Sequence, residues 1–222
     1  MLLTALSFVS CKGPSPVLKT DFFEEKEKDR SFMRIEFPDT IICRKGGEGS
    51  LEKIRRGLLE NVLDSQYVAD NFDGDVKEIL KNHCEEFGLP GKHPFLHSLE
   101  VYNVSNMGRW ASFLIYEKEE GRFEKEKGIC FDMLSGNVAG IWDVFKKSKL
   151  PEMAGKIYDK LKEQTPETTL SVDDVIERID SSDFILKKKS AVFLLPQENA
   201  APDSLGTIRV ALDPEETRSL MR

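Results

Sequence analysis

Long apolar runs, an excess of basic residues and clustered metal ligands are all missing from this sequence. No apolar stretch approaches the ~18 residues that a helical membrane span needs. Lys and Arg number 32 against 39 Asp and Glu, a net charge of −7. Nucleic acid is therefore excluded as a partner, because its phosphates need a cationic face. The same balance argues against electrostatic docking on anionic lipid and leaves basic protein partners open. None of the four cysteines, Cys11, Cys43, Cys84 and Cys130, forms a C-x-x-C pair, which removes zinc ribbons and thioredoxin motifs. The histidines are three, His83, His93 and His97. Pro94 breaks any helix that would place His93 and His97 on one face, and no carboxylate pair accompanies them. No metal site and no stoichiometric zinc are expected.

Motifs for covalent or phosphate chemistry are absent too. Gly46-Gly47-Glu48-Gly49-Ser50 lacks the Lys-Ser/Thr ending of a phosphate loop, and Glu48 would repel a phosphate. There is no G-x-S-x-G for a hydrolase serine. Cys84 or Cys130 as a nucleophile would need a base. Only His83 is near in sequence, and adjacent helical residues point in different directions. The chain is read as a non-enzyme, with no catalytic residue and no cofactor assigned.

What is present begins with ten uncharged, mostly apolar residues, Met1 to Ser10, ending at Cys11 and followed by Lys12-Gly13-Pro14-Ser15-Pro16. An apolar stretch, small residues before a Cys and then a Pro/Gly segment is the layout of a bacterial lipoprotein leader. Phe8-Val9-Ser10-Cys11 stands where the lipobox would be. The basic leader segment is missing, so the translation start is expected upstream of Met1. The competing reading is a buried N-terminal strand with an incidental Cys. The mixed-charge run Glu24-Glu25-Lys26-Glu27-Lys28-Asp29-Arg30 argues instead for a solvated tether. Residues 1–11 are thus expected to be a lipoprotein signal peptide ending at a lipidated Cys11, and 12–30 a tether. The place is the cell envelope, extracytoplasmic, at the outer membrane or cell surface. With Cys11 acylated, three cysteines remain, either as one disulfide plus a thiol or as three buried thiols.

Hydrophobic residues make up 40% of the chain, enough for a true core. Residues 31–92 read as a small α+β unit. Alternation predicts a strand over Phe32–Phe37, closed by Pro38-Asp39, and another over Thr40–Cys43. Ser50 is placed as cap of a helix carrying Leu51, Ile54, Leu58, Leu59 and Val62. A second helix carries Phe72, Val76, Ile79, Leu80 and Phe87. Residues 93–222 read as a C-terminal α+β domain. It opens with a three-strand antiparallel meander over 95–104, 109–116 and 122–133. Helices follow near 141–145, 150–163 and 173–179, then strands over 183–186, 191–195 and 207–212. Asp213, Pro214 and Glu216 announce a last helix. The fold class is α+β, an antiparallel meander sheet with helices packed on one face.

Three segments resemble a known family. Ile129-Cys130-Phe131-Asp132-Met133-Leu134-Ser135-Gly136, then Ile141-Trp142-Asp143-Val144-Phe145, resembles its "FD-x-x-[ST]-G … D-[VL]-F" signature. Phe184-Ile185-Leu186 through Phe193 resembles a strand pair of that family. Pro196 through Gly206 resembles its "P-Y-E-I-A-P-Y-A-x-G" loop without the aromatic residues. The family is a domain of unknown function in secreted and lipid-anchored bacterial proteins. It also forms the extracellular part of lysozyme-sensing anti-sigma factors and accompanies some peptidoglycan deacetylases. The resemblance implies an envelope protein that binds a cell-wall or periplasmic component. An alternative is a sensor or inhibitor of a basic host protein such as lysozyme, and a third is an enzyme acting on cell-wall glycans.

Asp132 and Asp143, both in the signature, are read as turn and helix caps rather than catalytic acids, and Trp110 and Trp142 as core. The loop 196–206 is too long for a tight hairpin turn, and its two prolines restrict it. Glu198, Asn199, Pro202 and Asp203 are its candidate ligand contacts, with Glu198 as polar anchor; the competing reading is a tolerated surface insertion. The sharpest expectation concerns Cys11. Metabolic labelling with a palmitate analogue should mark the wild-type chain and not Cys11→Ser; equal labelling of both would remove the lipoprotein reading.

Overall fold

Two strands that the hydrophobic pattern only half announces, β1 (Val17–Glu27) and β2 (Ser31–Ile42), form a long antiparallel hairpin. The computed structural model describes residues 15–27, 31–43, 48–89, 96–119, 125–195 and 207–222. After β2 come α1 (Glu48–Glu60), α2 (Ser65–Asn71) and α3 (Val76–Phe87), and the chain re-enters the sheet as β3 (Leu96–Met107). β3 lies parallel to β2. Parallel neighbours need a long crossover, and the three helices supply it. β4 (Trp110–Glu119) and β5 (Lys125–Asp132) complete the antiparallel meander, giving a sheet of order β1-β2-β3-β4-β5.

The helices cover one face of this sheet. Ile54, Leu58 and Leu59 of α1 and Val76, Ile79 and Leu80 of α3 share a core with Met33, Ile35 and Phe37 of β2 and Ala111, Phe113 and Ile115 of β4. Asp64 caps α2 by accepting from the Gln66 and Tyr67 amides, and Asp75 caps α3 through the Lys77 and Glu78 amides. The helix predicted around Phe72–Phe87 is α3, which starts only at Val76, and α2 before it was not predicted. The Asx caps break the periodic run, because each satisfies N–H groups that an intact helix would have bonded internally. Ser50 does not cap α1; it sits buried inside its first turn.

The tether expected over 12–30 is corrected for residues 17–27, which pair with β2 from Val17↔Ile42 to Glu27↔Ser31. A register shift between Lys19 and Thr20 hid the strand. Before it Leu18 points at the core; after it Asp21, Phe23 and Glu25 stand opposite Phe37, Ile35 and Met33. An irregularity of this kind switches the inward set from even to odd positions and destroys the alternation. The charges are those of an edge strand, which resists further pairing. Asp21 is tied down by Lys77 of α3 at 2.6 Å. Pro38 likewise does not end a strand: β2 runs through it, opposite the β1 irregularity at Thr20. Its carbonyl accepts from Arg55 Nε at 2.8 Å.

A second sheet, β6 (Asp183–Lys187), β7 (Ser190–Leu195) and β8 (Ile208–Ala211), is antiparallel in that order. It packs with α4 (Ile141–Val144), α5 (Leu150–Gln164), α6 (Val172–Arg178) and α7 (Pro214–Leu220) around Phe145, Met153, Ile157, Leu161, Phe193 and Leu220. β7 is central as expected, whereas β8 is an edge strand. The predicted boundary between residues 92 and 93 falls inside the five-stranded sheet, since β2 and β3 pair across it. That division is corrected: β2 and β3 belong to one sheet, and β5 contributes to both cores.

The second sheet sits on the outer face of the first, the face turned away from α1–α3. The free edge of β6 crosses it. The Leu186 amide donates to Ser112 Oγ at 2.9 Å, and Ser105 Oγ donates to the Leu186 carbonyl. Ile185 packs against Val104 and Leu114. Gly128 permits this approach: a Cβ there would lie 2.9 Å from Ile185 Cγ2 and 3.0 Å from the Phe184 carbonyl. Ser112 is fully buried. Ser112→Ala should leave the Leu186 amide without an acceptor and cost about 1–3 kcal/mol in urea unfolding. An unchanged midpoint would show that β6 is held by packing alone.

Candidate functional site

β6 covers the outer face over β5, β4 and the end of β3. Over β1, β2 and the first part of β3 no helix or second sheet among the described residues lies on that face. Strand register sets which side chains meet there. One row across the strands is Glu24, Arg34, Glu100 and Tyr116; another is Lys26, Phe32, Ser98 and Lys118. A third starts at Phe22, opposite Glu36. Continuing the β2–β3 register puts Tyr102 next to Glu36, whose Oε2 accepts from the neighbouring Asn103 amide at 2.9 Å. Tyr102 is cross-strand to Leu114.

Phe22 is 51% exposed and Tyr102 37%. The charges between them are engaged. Arg34 pairs with Glu24 at 3.1 Å, and its guanidinium lies 5.2 Å from the Phe22 ring centroid. Glu36 also accepts from the Thr20 hydroxyl, and the Tyr102 hydroxyl donates to Glu100. Towards β8, Arg209 forms a two-pronged pair with Glu126, both contacts at 2.7 Å. Arg34 Nε has no hydrogen-bond partner among the described residues. None of these positions was singled out from the sequence, because the β1 irregularity hid the alternation that places Phe22 and Glu24 on one face.

A cleft of about 410 Å³ lies on the opposite side, between the end of β1 and the last turns of α3. Glu25, Lys26, Lys81, Glu85 and Cys84 line it. The Cys84 thiol is 3.8 Å from Met33 Sδ. Burial, with Glu25 adding, pushes it up to about 11. Burial pushes Cys130 up to about 12, against the Ser112 hydrogen bond. Both are thiols near neutral pH, poor nucleophiles. Among the described residues Cys84 and Cys130 take part in no disulfide.

His83 stacks with Tyr67 and Phe87, centroids 5.1 and 5.0 Å away, and burial lowers its pKa. Among the described residues no three His, Cys, Asp or Glu side chains converge as metal ligands. His93 lies outside the described residues, as do Cys11 and the loop contacts Glu198, Asn199, Pro202 and Asp203. Trp110 and Trp142 are partly buried against the second core, with Arg109 over the first ring and Lys147 over the second.

Asp132 closes the β5 turn. Its carboxylate pairs with Arg109 and accepts from the Leu134 amide and the Ser135 hydroxyl, both at 3.0 Å. Asp143 is not the cap residue of α4. It lies inside that helix and reaches back to the Gly140 amide at 2.8 Å. Asp183, at the sheet junction, is pushed up by burial, partly countered by Lys127 and the Gly128 amide. Burial alone would also raise Asp132, but Arg109, the Leu134 amide and the Ser135 hydroxyl outweigh it and hold the carboxyl below its usual value. A lowered folded pKa contributes stability that is present above the unfolded pKa and is lost as pH falls through the folded one. Asp132→Asn should therefore cost about 1 kcal/mol at neutral pH and flatten the loss of stability below about pH 4. Identical acid-unfolding curves for both proteins would refute the assignment.

No family model matches the sequence, and no curated protein does. Two crystal structures of DUF3298-family proteins share the fold. One, from Bacteroides fragilis, matches with a TM-score of 0.62 at 10% identity, over 94% of this chain and 95% of that one. The other, from Pseudomonas aeruginosa PAO1, matches with a TM-score of 0.51 at 12% identity, over 95% of both chains. At such identities the likeness is one of fold: the chain has the α+β architecture seen in these proteins of a family of unknown function.

Proposed function

We propose that the protein is a non-enzymatic lipoprotein of the cell envelope, held by lipid on Cys11, that binds a cell-wall or extracytoplasmic ligand. The binding surface is the open half of the five-stranded sheet. The observation that carries this is the exposure of Phe22 and Tyr102 on a rigid sheet whose neighbouring charges are already paired. Aromatic side chains left partly exposed side by side on one sheet face are common in contact surfaces. Several observations speak for binding rather than catalysis. Asp132 is consumed by a turn, Glu36 by a backbone amide, and the thiols of Cys84 and Cys130 stay protonated.

The net charge of −7 favours a second reading, capture of a basic host protein such as lysozyme. The Cys11→Ser chain, free of lipid, separates the two. Incubated with cell-wall fragments and with lysozyme, it should co-sediment with the fragments, and Phe22→Ala/Tyr102→Ala should not. Wall capture that survives the double change would move the site elsewhere. Capture of neither material by the unaltered face would overturn the reading.

A further inference from the structure

We propose that the open sheet face takes a neutral oligosaccharide, lying across β1, β2 and β3 on Phe22 and Tyr102. This rests on the reading of that face as the binding surface and names its ligand class. The first argument is charge. The open parts of β1, β2 and β3 hold Glu24, Glu36 and Glu100 against Lys19, Lys26 and Arg34, so acids and bases balance on a molecule that is otherwise acidic. A cationic protein would call for surplus carboxylates here, and a nucleic acid or polyanionic glycan for surplus Lys and Arg. A surface neutral in sum, with Arg34 and Glu24 paired and Glu36 and Glu100 held by neutral donors, matches a ligand without net charge.

Shape and chemistry supply the second argument. Phe22 and Tyr102 stand on strands separated by β2, roughly 10 Å apart across the sheet at the usual strand spacing. Glu36 lies in the row between them. A pyranose ring has an apolar C–H face for each aromatic ring and hydroxyls around its rim for the charges beside them. Arg34, paired with Glu24, lies over one face of the Phe22 ring and leaves the other for the sugar, while Glu100 holds the Tyr102 hydroxyl, so charged groups stand beside each platform. An apolar peptide would use the rings and leave these paired charges desolvated, which is costly. A linked sugar uses both.

A soluble oligomer of β-1,4-linked N-acetylglucosamine is the probe, titrated calorimetrically into the Cys11→Ser chain. Binding should weaken about tenfold or more in Phe22→Ala and in Tyr102→Ala, the loss expected when a stacked ring is removed. Both side chains are partly buried, so each change should lower the melting temperature modestly while unfolding stays cooperative, and the titration is read well below that temperature. Affinity should also be insensitive to salt, because no net charge is neutralised. Binding that is unaffected by either change overturns the proposal. So does affinity that collapses with salt. If the oligomer fails to bind while wall fragments or lysozyme are still captured through Phe22 and Tyr102, the ligand class is wrong and the site stands. If no capture depends on those two residues, both readings fall.

Discussion

Everything about this molecule depends on one strand edge being satisfied by side chains instead of by another strand. β6 is an edge strand, and an edge leaves N–H and C=O groups unpaired. At Leu186 both groups are met by serines, Ser112 on the amide and Ser105 on the carbonyl, projecting from the outer face of the larger sheet. Two serines and a glycine, Gly128, keep that face low enough for β6 to approach. Larger side chains there would hold the sheets apart, and apolar ones would strand buried polar groups.

That docking divides the outer face in two. Where β6 lies, the face is small and apolar: Gly128, Ser112, Leu114 and Val104, packed on Ile185. Where β6 does not reach, the residues become large, aromatic and charged. The same strands thus carry a structural contact at one side and an exposed platform at the other. Because β1 to β3 are backed by the core under α1 and α3, the platform is rigid, and a ligand would not have to order it.

The reactive-looking groups have structural employment. Cys130 sits beneath Ser112 at the junction of the two sheets, where burial suppresses its ionisation. Asp132 locks the turn after β5 and ties it, through Arg109, to the turn between β3 and β4. The Asp residues that cap α2, α3 and α7 bind backbone amides. In the proposed reading, binding rests on the exposed rings and the charges beside them.

Local rules carried most of the second half of the chain. The meander, α5, α6, β6, β7 and α7 follow from period, turn chemistry and the Asp213–Glu216 capping box, all encoded within a few residues. The α+β class followed from the same patterns. The first half was less legible. A one-residue irregularity at Lys19/Thr20 scrambled the alternation of β1, and the edge charges made a strand resemble a tether. Asp75 delays the start of α3 past Phe72, because an Asx cap inside a periodic run leaves the apolar spacing nearly intact, and the short α2 capped by Asp64 went unpredicted. Sequence alone determined the composition and the Asp213–Glu216 capping box, and it holds the Cys11 junction on which the proposed envelope reading rests. Tertiary structure alone decided that β2 and β3 join one sheet across a parallel register and that β6 covers only half of it. It thereby decided that Phe22, on one strand, and Tyr102, eighty residues later in the chain, share an exposed face. Pairing between distant strands is set by which apolar faces bury each other, and no local pattern records that choice.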